Sequence, residues 1–175
     1  SVIVHVFGAY FGLAASKVLT PLRVMDDGNN GANYHSDLFA MIGTAFLWIY
    51  WPSFVAAPAG EADRELAVIS TLLSLTGSCI AAFQVSHLMR ERQFCMVDVQ
   101  NATLAGGVAI GSIANLAIQS PAIAIATGAA SGALSVVGYT RVQVRAAFRS
   151  HAARTHSQAC HVSLTPPHPS PALAP

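Results

Sequence analysis

The chain has 175 residues, of which 10% are charged and 53% hydrophobic, and its formal net charge is +1 at pH 7. A soluble domain carries about 25% charged residues, so this composition is typical of a chain solvated by lipid. Nine basic residues nearly balance eight acidic ones, so the net charge gives no indication of a nucleic-acid partner.

Apolar stretches in chain order predict an all-α membrane protein of about five transmembrane helices, since a bilayer core needs about 20 apolar residues per helix. The stretches are Val2 to about Leu19, Leu38–Gly60, Leu66–Met89, and two within Val99–Thr140. Gln119-Ser-Pro121 divides the last stretch, because proline lacks an N–H group and restricts the residue before it.

Lys and Arg are concentrated in alternate intervals between these spans. The basic residues after the first, third and fifth spans are Lys17, Arg23, Arg90, Arg92, Arg141, Arg145, Arg149 and Arg154. Arg64 alone follows the second span, and none follows the fourth. Because loops rich in Lys and Arg stay in the cytoplasm, the first helix is predicted to run inward and the C-terminus to be cytoplasmic.

Small residues recur on the predicted helices, and Gly128-Ala-Ala-Ser-Gly132 has the GxxxG spacing. In lipid, small residues let helix backbones approach closely. The motif therefore favours tight packing within the chain, with dimerisation as the alternative.

The composition changes after Tyr139. Residues 141–175 are rich in Arg, His, Ser and Pro and cannot build an apolar core, so they predict a disordered cytoplasmic tail that follows a membrane segment of residues 1–140. The tail histidines are irregularly spaced, and the three cysteines lack metal-ligand spacing. No metal site and no cofactor is expected.

Two carboxylates stand where predicted helices begin. Asp98 opens the fourth span, and Asp37 opens the second beside Ser36. Since a carboxylate is favourable at the positive N-terminal end of a helix, both are predicted to cap their helices. Nothing resembles a catalytic triad, a phosphate loop or a paired acid/base site, so an enzyme is not expected.

His5 lies in the opening stretch Ser1–Ser16, which has no Asp, Glu, Lys or Arg. An ionisable side chain at membrane depth is costly unless it faces a partner, a bundle interior or a water-filled path. It therefore predicts a functional position. The alternative is a histidine hydrogen-bonded to a neighbouring helix.

Three segments together resemble the Rhesus (Rh) glycoprotein branch of the ammonium transporter superfamily. They are His5-Val-Phe-Gly-Ala-Tyr-Phe-Gly-Leu13, then Ser36–Thr44 continuing through Leu47-Trp-Ile-Tyr-Trp-Pro-Ser-Phe54, and Met96–Gly111. They occur in the family's order and spacing, and the resemblance covers residues 1 to about 140, which match the middle helices of the family.

The resemblance implies trimers in which each subunit has a narrow hydrophobic pore containing a pair of histidines. His5 matches the first of that pair, Phe54 a gating phenylalanine and Trp51 an aromatic near the outer vestibule. The implied substrates are ammonia or ammonium, with methylammonium and carbon dioxide as further candidates. Without the resemblance, Trp51 and Phe54 would be interpreted as aromatics of a membrane interface.

The chemistry of these residue types fits that expectation independently. NH4+ cannot cross a dry pore with its charge intact, so a proton must leave or be relayed. A neutral imidazole offers both a donor and an acceptor and exchanges protons near physiological pH. A phenyl face can hold a cation by cation–π attraction.

We therefore expect an integral membrane protein, in the plasma membrane, that is an Rh-type ammonia or ammonium channel. The chain opens within a hydrophobic segment and turns into the polar tail before a second pore histidine, so a complete pore from this chain alone is not expected. The alternative is a truncated, non-conducting isoform or fragment that only assembles with full-length subunits.

Overall fold

The computed structural model describes residues 1–21, 33–90, 95–114 and 120–143, and over these residues the chain is helical, without β-strands. The α-helices are α1 (Val2–Leu19), α2 (Tyr34–Ala56), α3 (Arg64–Met89), α4 (Met96–Ile110) and α5 (Pro121–Val137). A 3-10 turn, Glu61–Asp63, leads into α3, and a π-helical turn, Gly138–Gln143, extends α5. The prediction of an all-α fold is confirmed.

Three helical stretches are long and apolar enough to cross a membrane by length and composition, namely Tyr34–Ala56, Glu61–Met89 and Pro121–Val142. The apolar helix Ile3–Leu19 is slightly shorter. With 15 residues, α4 is about 22 Å long at 1.5 Å per residue, against a bilayer core of about 30 Å. Each predicted span is thus a helix, and three have full spanning length among the described residues.

The start of α2 differs from the predicted one. Asn33 is the N-cap: its Oδ1 accepts a hydrogen bond from the Ser36 N–H at 2.9 Å, and Ser36 Oγ accepts one from the Asn33 N–H at 3.2 Å. This reciprocal pair is a capping box, so the prediction that Asp37 caps the helix is wrong. Asp37 lies in the first turn, where a carboxylate still complements the helix dipole.

Asp98 also lies in the first turn of its helix, but it makes no capping bond, and the N-cap of α4 is Cys95. The buried Asp98 carboxylate instead accepts hydrogen bonds from Arg90 Nε at 2.6 Å, Arg90 Nη2 at 2.9 Å and Ser86 Oγ at 2.8 Å. The capping prediction is therefore wrong for Asp98 as well. A bidentate ion pair with Arg90 joins the end of α3 to the start of α4.

Buried hydroxyl groups on α3 hold it against α4. Ser74 Oγ donates to the carbonyl oxygen of Gly106 at 2.9 Å, and Ser78 Oγ donates to the carbonyl oxygen of Ala102. Ser74 and Ser78 are one helical turn apart and fully buried. In lipid, where apolar burial does not drive helices together, such interhelical hydrogen bonds and close packing do.

The glycines of the GxxxG motif pack against the same face of α3. A Cβ atom added to Gly128 would overlap the carbonyl group of Ser74, and one added to Gly132 would lie 2.6 Å from the Ser78 carbonyl oxygen. Both glycines are buried. The prediction that this motif serves packing within the chain is confirmed.

The tail prediction falls almost entirely outside the described residues. Helical structure continues past residue 140, because the π-helical turn runs through Gln143. Residues 144–175 lie outside the described part of the chain. The domain boundary at residue 140 and the disordered tail stay predictions.

Candidate functional site

The candidate site begins at the N-terminal end of α1. Ser1 is the N-cap of this helix, and the backbone N–H of His5 donates to the Ser1 carbonyl oxygen at 3.0 Å. The first helical turn therefore carries His5 directly above Ser1, since residues four apart lie on one face. The imidazole is half-buried at this position.

The three side chains predicted for the substrate path lie in a row. The His5 imidazole stacks on the Trp51 indole, with 6.1 Å between ring centroids and 22° between ring planes. Phe54, three positions further along α2, meets the same indole edge-on at 6.4 Å and 62°. The structure thus brings together residues from two helices, and their role in a path stays a prediction.

Gly107 of α4 makes room for the middle ring of this row. A Cβ atom added at Gly107 would overlap the Trp51 indole, with its Cδ1 and Cε2 atoms only 2.7 Å away. The indole therefore rests on the backbone of α4. In the sequence, Gly107 is one of many small residues on the predicted helices, and no local pattern connects it to Trp51.

Ser1 was not predicted as part of the site, yet it contacts His5. Its Oγ lies 3.0 Å from His5 Nδ1 and donates a hydrogen bond to the carbonyl oxygen of Val108 at 2.6 Å. Gly111, one turn beyond Gly107, leaves space for it, because an added Cβ would lie 3.1 Å from the Ser1 Cβ. In the sequence, the four-residue spacing of Gly107 and Gly111 was the one pattern that could have indicated a close contact on this face of α4.

The site combines one titratable ring with exposed aromatic surface. Phe54 is 65% exposed, whereas Trp51 is partly buried. Along α1 the nearest formally charged side chain to His5 is Lys17, about 18 Å away at 1.5 Å per residue. Such a site can accept or donate one hydrogen bond at the imidazole and can attract a small cation to the aromatic faces.

Comparison with known proteins identifies the family. The model of the Ammonium Transporter Family matches residues 1–153, which extends past residue 140. The chain is 46% identical over 142 residues to "Ammonium transporter Rh type A" of Bos taurus, an alignment covering 79% of this chain and 33% of that protein. It is likewise 46% identical over 142 residues to "Ammonium transporter Rh type B" of Bos taurus, covering 31% of that protein.

A solved structure of Nitrosomonas europaea Rh50, which belongs to the Rhesus protein family of channels, is similar in fold. The TM-score is 0.75 at 37% sequence identity, and the match covers 89% of this chain and 40% of that one. The chain spans about a third of the length of the curated relatives it matches. From its sequence and its helical arrangement, the chain belongs to the Rh branch of the ammonium transporter family.

Proposed function

We propose that this segment lines part of a path that passes ammonia or ammonium across a membrane, with His5, Trp51 and Phe54 as lining side chains. The observation that carries the proposal is the row of rings, 6.1 Å from imidazole to indole and 6.4 Å from indole to phenyl. Membership of the ammonium transporter family supplies the substrate class. Methylammonium is a natural probe of the same path, and carbon dioxide is a second candidate substrate.

The side chains would act in sequence on the substrate. The aromatic faces of Phe54 and Trp51 attract a cation, with a gain of about 0.5–1 kcal/mol at an exposed site and about 2 kcal/mol once water is excluded. His5 then offers a hydrogen-bonding partner where the path is too apolar for a charged ion. Since imidazole exchanges protons near physiological pH, it can support passage as ammonia.

The proposed setting is the plasma membrane, with trimeric assembly as the resemblance implies and a cytoplasmic C-terminus. The orientation rests on the alternation of Lys and Arg between the spans. A glycosylation reporter fused after Pro175 tests it, and we expect no glycosylation. A glycosylated or externally protease-accessible reporter would overturn the orientation.

A second candidate function is assembly with longer subunits without conduction by this chain alone. It is favoured by the glycines of α1: no described atom outside their own stretch of helix lies within 4 Å of a Cβ added at Gly8 or Gly12. Small residues in membrane helices mark places where another helix approaches closely. The open space beside Gly8 and Gly12 fits a further helix.

Proteoliposome flux separates the two candidates. The internal pH is followed after an ammonium gradient, both for the 175-residue chain and for a chimera in which residues 1–140 replace the matching segment of the Bos taurus Rh type A protein. We expect flux in the chimera and none above protein-free liposomes for the chain alone. Flux by the chain alone, abolished by His5→Ala, would exclude the second candidate.

Substitutions in the chimera test the lining residues. His5→Ala should change ammonium and methylammonium flux, and His5→Lys should lower it further, because a cation at membrane depth costs at least about 2.5 kcal/mol on insertion scales and repels NH4+. Phe54→Ala should loosen selectivity. The matched controls are His35→Ala and Phe11→Ala, since Phe11 is also 65% exposed. Equal effects of Phe54→Ala and Phe11→Ala would show that Phe54 does not line the path.

A further inference from the structure

A cleft of about 710 Å³ lies between the last turn of α2 and the first turns of α3. That volume is within the roughly 300–1,000 Å³ that is typical of small-molecule sites. Neither Trp51 nor Phe54 lines the cleft, so it is separate from the row of rings at the candidate site. The cleft is therefore a second candidate binding site.

Small side chains at the end of α2 leave this space. Ser53, Ala56 and Ala57 form the α2 wall of the cleft. Ala56 is 6% exposed and belongs to the apolar core, and Val68 of α3 packs against that core. Ser53 and Ala57 are exposed. The cleft thus has a closed apolar floor and an open side that faces the surroundings of the bundle.

The α3 wall of the cleft is apolar below and charged at the rim. Val68 and Ile69 lie one helical turn beyond Arg64 and Glu65, and Ile69 is 54% exposed. Neither Arg64 nor Glu65 forms a salt bridge with another residue that the structure describes. An exposed apolar strip therefore continues into two adjacent, unpaired charges of opposite sign.

The charges at this end of the bundle select the kind of ligand. The planar guanidinium of Arg64 can bind a phosphate through two parallel hydrogen bonds, and the Glu65 carboxylate attracts an ammonium group. Glu61 and Asp63, in the 3-10 turn before α3, add two further negative charges. These carboxylates disfavour a ligand of net negative charge, whereas a ligand with one phosphate and one ammonium group fits both signs.

We propose that this cleft binds a zwitterionic phospholipid of the phosphatidylethanolamine class. Its phosphate lies at Arg64, its ammonium group donates hydrogen bonds to Glu65, and the upper part of one acyl chain lies along Val68 and Ile69. The bilayer supplies such a ligand at the right depth, because the stretch Glu61–Met89 has spanning length and Arg64 and Glu65 are near its end. This lipid site does not depend on conduction by the chain.

Native mass spectrometry of the 175-residue chain, released from detergent micelles, measures the binding of single lipids. The chain is titrated with phosphatidylethanolamine and with phosphatidylglycerol of identical acyl chains. We expect phosphatidylethanolamine to bind up to about fivefold more tightly, as is typical of one exposed charge pair. Equal or tighter binding of phosphatidylglycerol would overturn the proposal.

Substitutions at the rim separate the two charges. Arg64→Gln should weaken the binding of both lipids, whereas Glu65→Gln should abolish the preference for phosphatidylethanolamine. Both side chains are exposed, so the fold should tolerate either change. Arg141→Gln, at an exposed arginine in the π-helical turn after α5, is the matched control and should leave both affinities unchanged. Unchanged binding in Arg64→Gln, or a preference that persists in Glu65→Gln, would contradict the assigned contacts.

A bulkier side chain in the cleft tests the site by shape. Ala57→Leu should weaken the binding of both lipids, and Ala62→Leu, at an exposed alanine outside the cleft, should not. Dimers without bound lipid that Ala57→Leu dissociates would show that a second copy fills the cleft instead. Lipid binding by the chain that is lost in the chimera would show that a further helix covers it. Either result would overturn the proposal.

Discussion

Glycines have opposite surroundings in two regions of this molecule. In the region formed by α3, α4 and α5, Gly128 and Gly132 lie against the backbone of α3, and no Cβ fits there without displacement. In α1 and α2, no described atom beyond the helix itself lies within 4 Å of a Cβ added at Gly8, Gly12 or Gly43. The same residue type is a packing element in one region and open surface in the other.

The burial of side chains differs between the same two regions. In the α3–α5 region they are buried and bonded between helices, as Ser74, Ser78 and the Arg90–Asp98 pair are. In α1 and α2 the large apolar side chains are exposed, and Tyr10 and Phe39 are 72% and 74% accessible. The comparison shows that the candidate site, at the N-terminal end of α1, belongs to the loosely packed region of α1 and α2. It contacts the tightly packed region of α3, α4 and α5 through α4.

Removing the buried Asp98 carboxylate should give the largest loss of stability. Asp98→Ala leaves the Arg90 guanidinium and the Ser86 hydroxyl without their partner, and breaking a buried pair costs about 3–5 kcal/mol. Because the Arg90 side chain is 21% exposed and can reach solvent, we expect the lower end of that range. Reversible unfolding in mixed detergent micelles measures it, with Glu65→Ala as the exposed first-turn control. Similar losses for the two variants would contradict a special role for the pair.

The next largest loss of stability is expected from adding a methyl group at the closest contact between two helices. Gly128→Ala forces the Ser74 backbone away, and overpacking of this kind costs about 1–3 kcal/mol. The same unfolding experiment measures it. Gly138→Ala, at a glycine of the same helical segment with nothing within 4 Å of an added Cβ, is the matched control. Equal stability of Gly128→Ala and Gly138→Ala would contradict the proposed difference between packed and open glycines.

A substitution at the junction of the two regions should alter the site more than the stability. Gly107→Ala must displace the Trp51 indole, which is a side chain and can move, so we expect a loss of stability at the lower end of about 1–3 kcal/mol. We also expect a clear change in flux through the chimera. Tryptophan fluorescence of the 175-residue chain reports on the indole. Trp48→Phe is introduced with and without Gly107→Ala, so that Trp51 is the one tryptophan that emits. An unchanged Trp51 emission would contradict the contact.

The smallest effect is expected in the open region. Gly8→Ala meets no described neighbour, and alanine is more favourable than glycine in a helix by about 0.5–1 kcal/mol, so the chain alone should be unchanged or slightly more stable. In the chimera, a helix packed against Gly8 would make the same change destabilising. A chimera that tolerates Gly8→Ala as well as the chain does would argue against a further helix at this position.

For the residues that the structure describes, the apolar stretches were sufficient to predict the number, order and approximate bounds of the α-helices, because spanning length and the exclusion of charge are local properties. Gln119-Ser-Pro121 was expected to form the reversal between the last two spans, and α5 begins at Pro121. The packing role of Gly128 and Gly132 also followed from their spacing. Its place in a charge-free apolar stretch singled out His5, whereas only the family motifs singled out Trp51 and Phe54.

Only the tertiary structure decided which side chains meet between helices. Asp98 was expected to cap its helix and instead pairs with Arg90 of the preceding helix, a contact that no local pattern specifies. Ser1 has no distinguishing sequence context, yet its hydroxyl joins His5 to Val108. Such contacts depend on how far each helix is rotated and shifted against its neighbours, and that is set by the close approach of backbones at the glycines of α4 and α5.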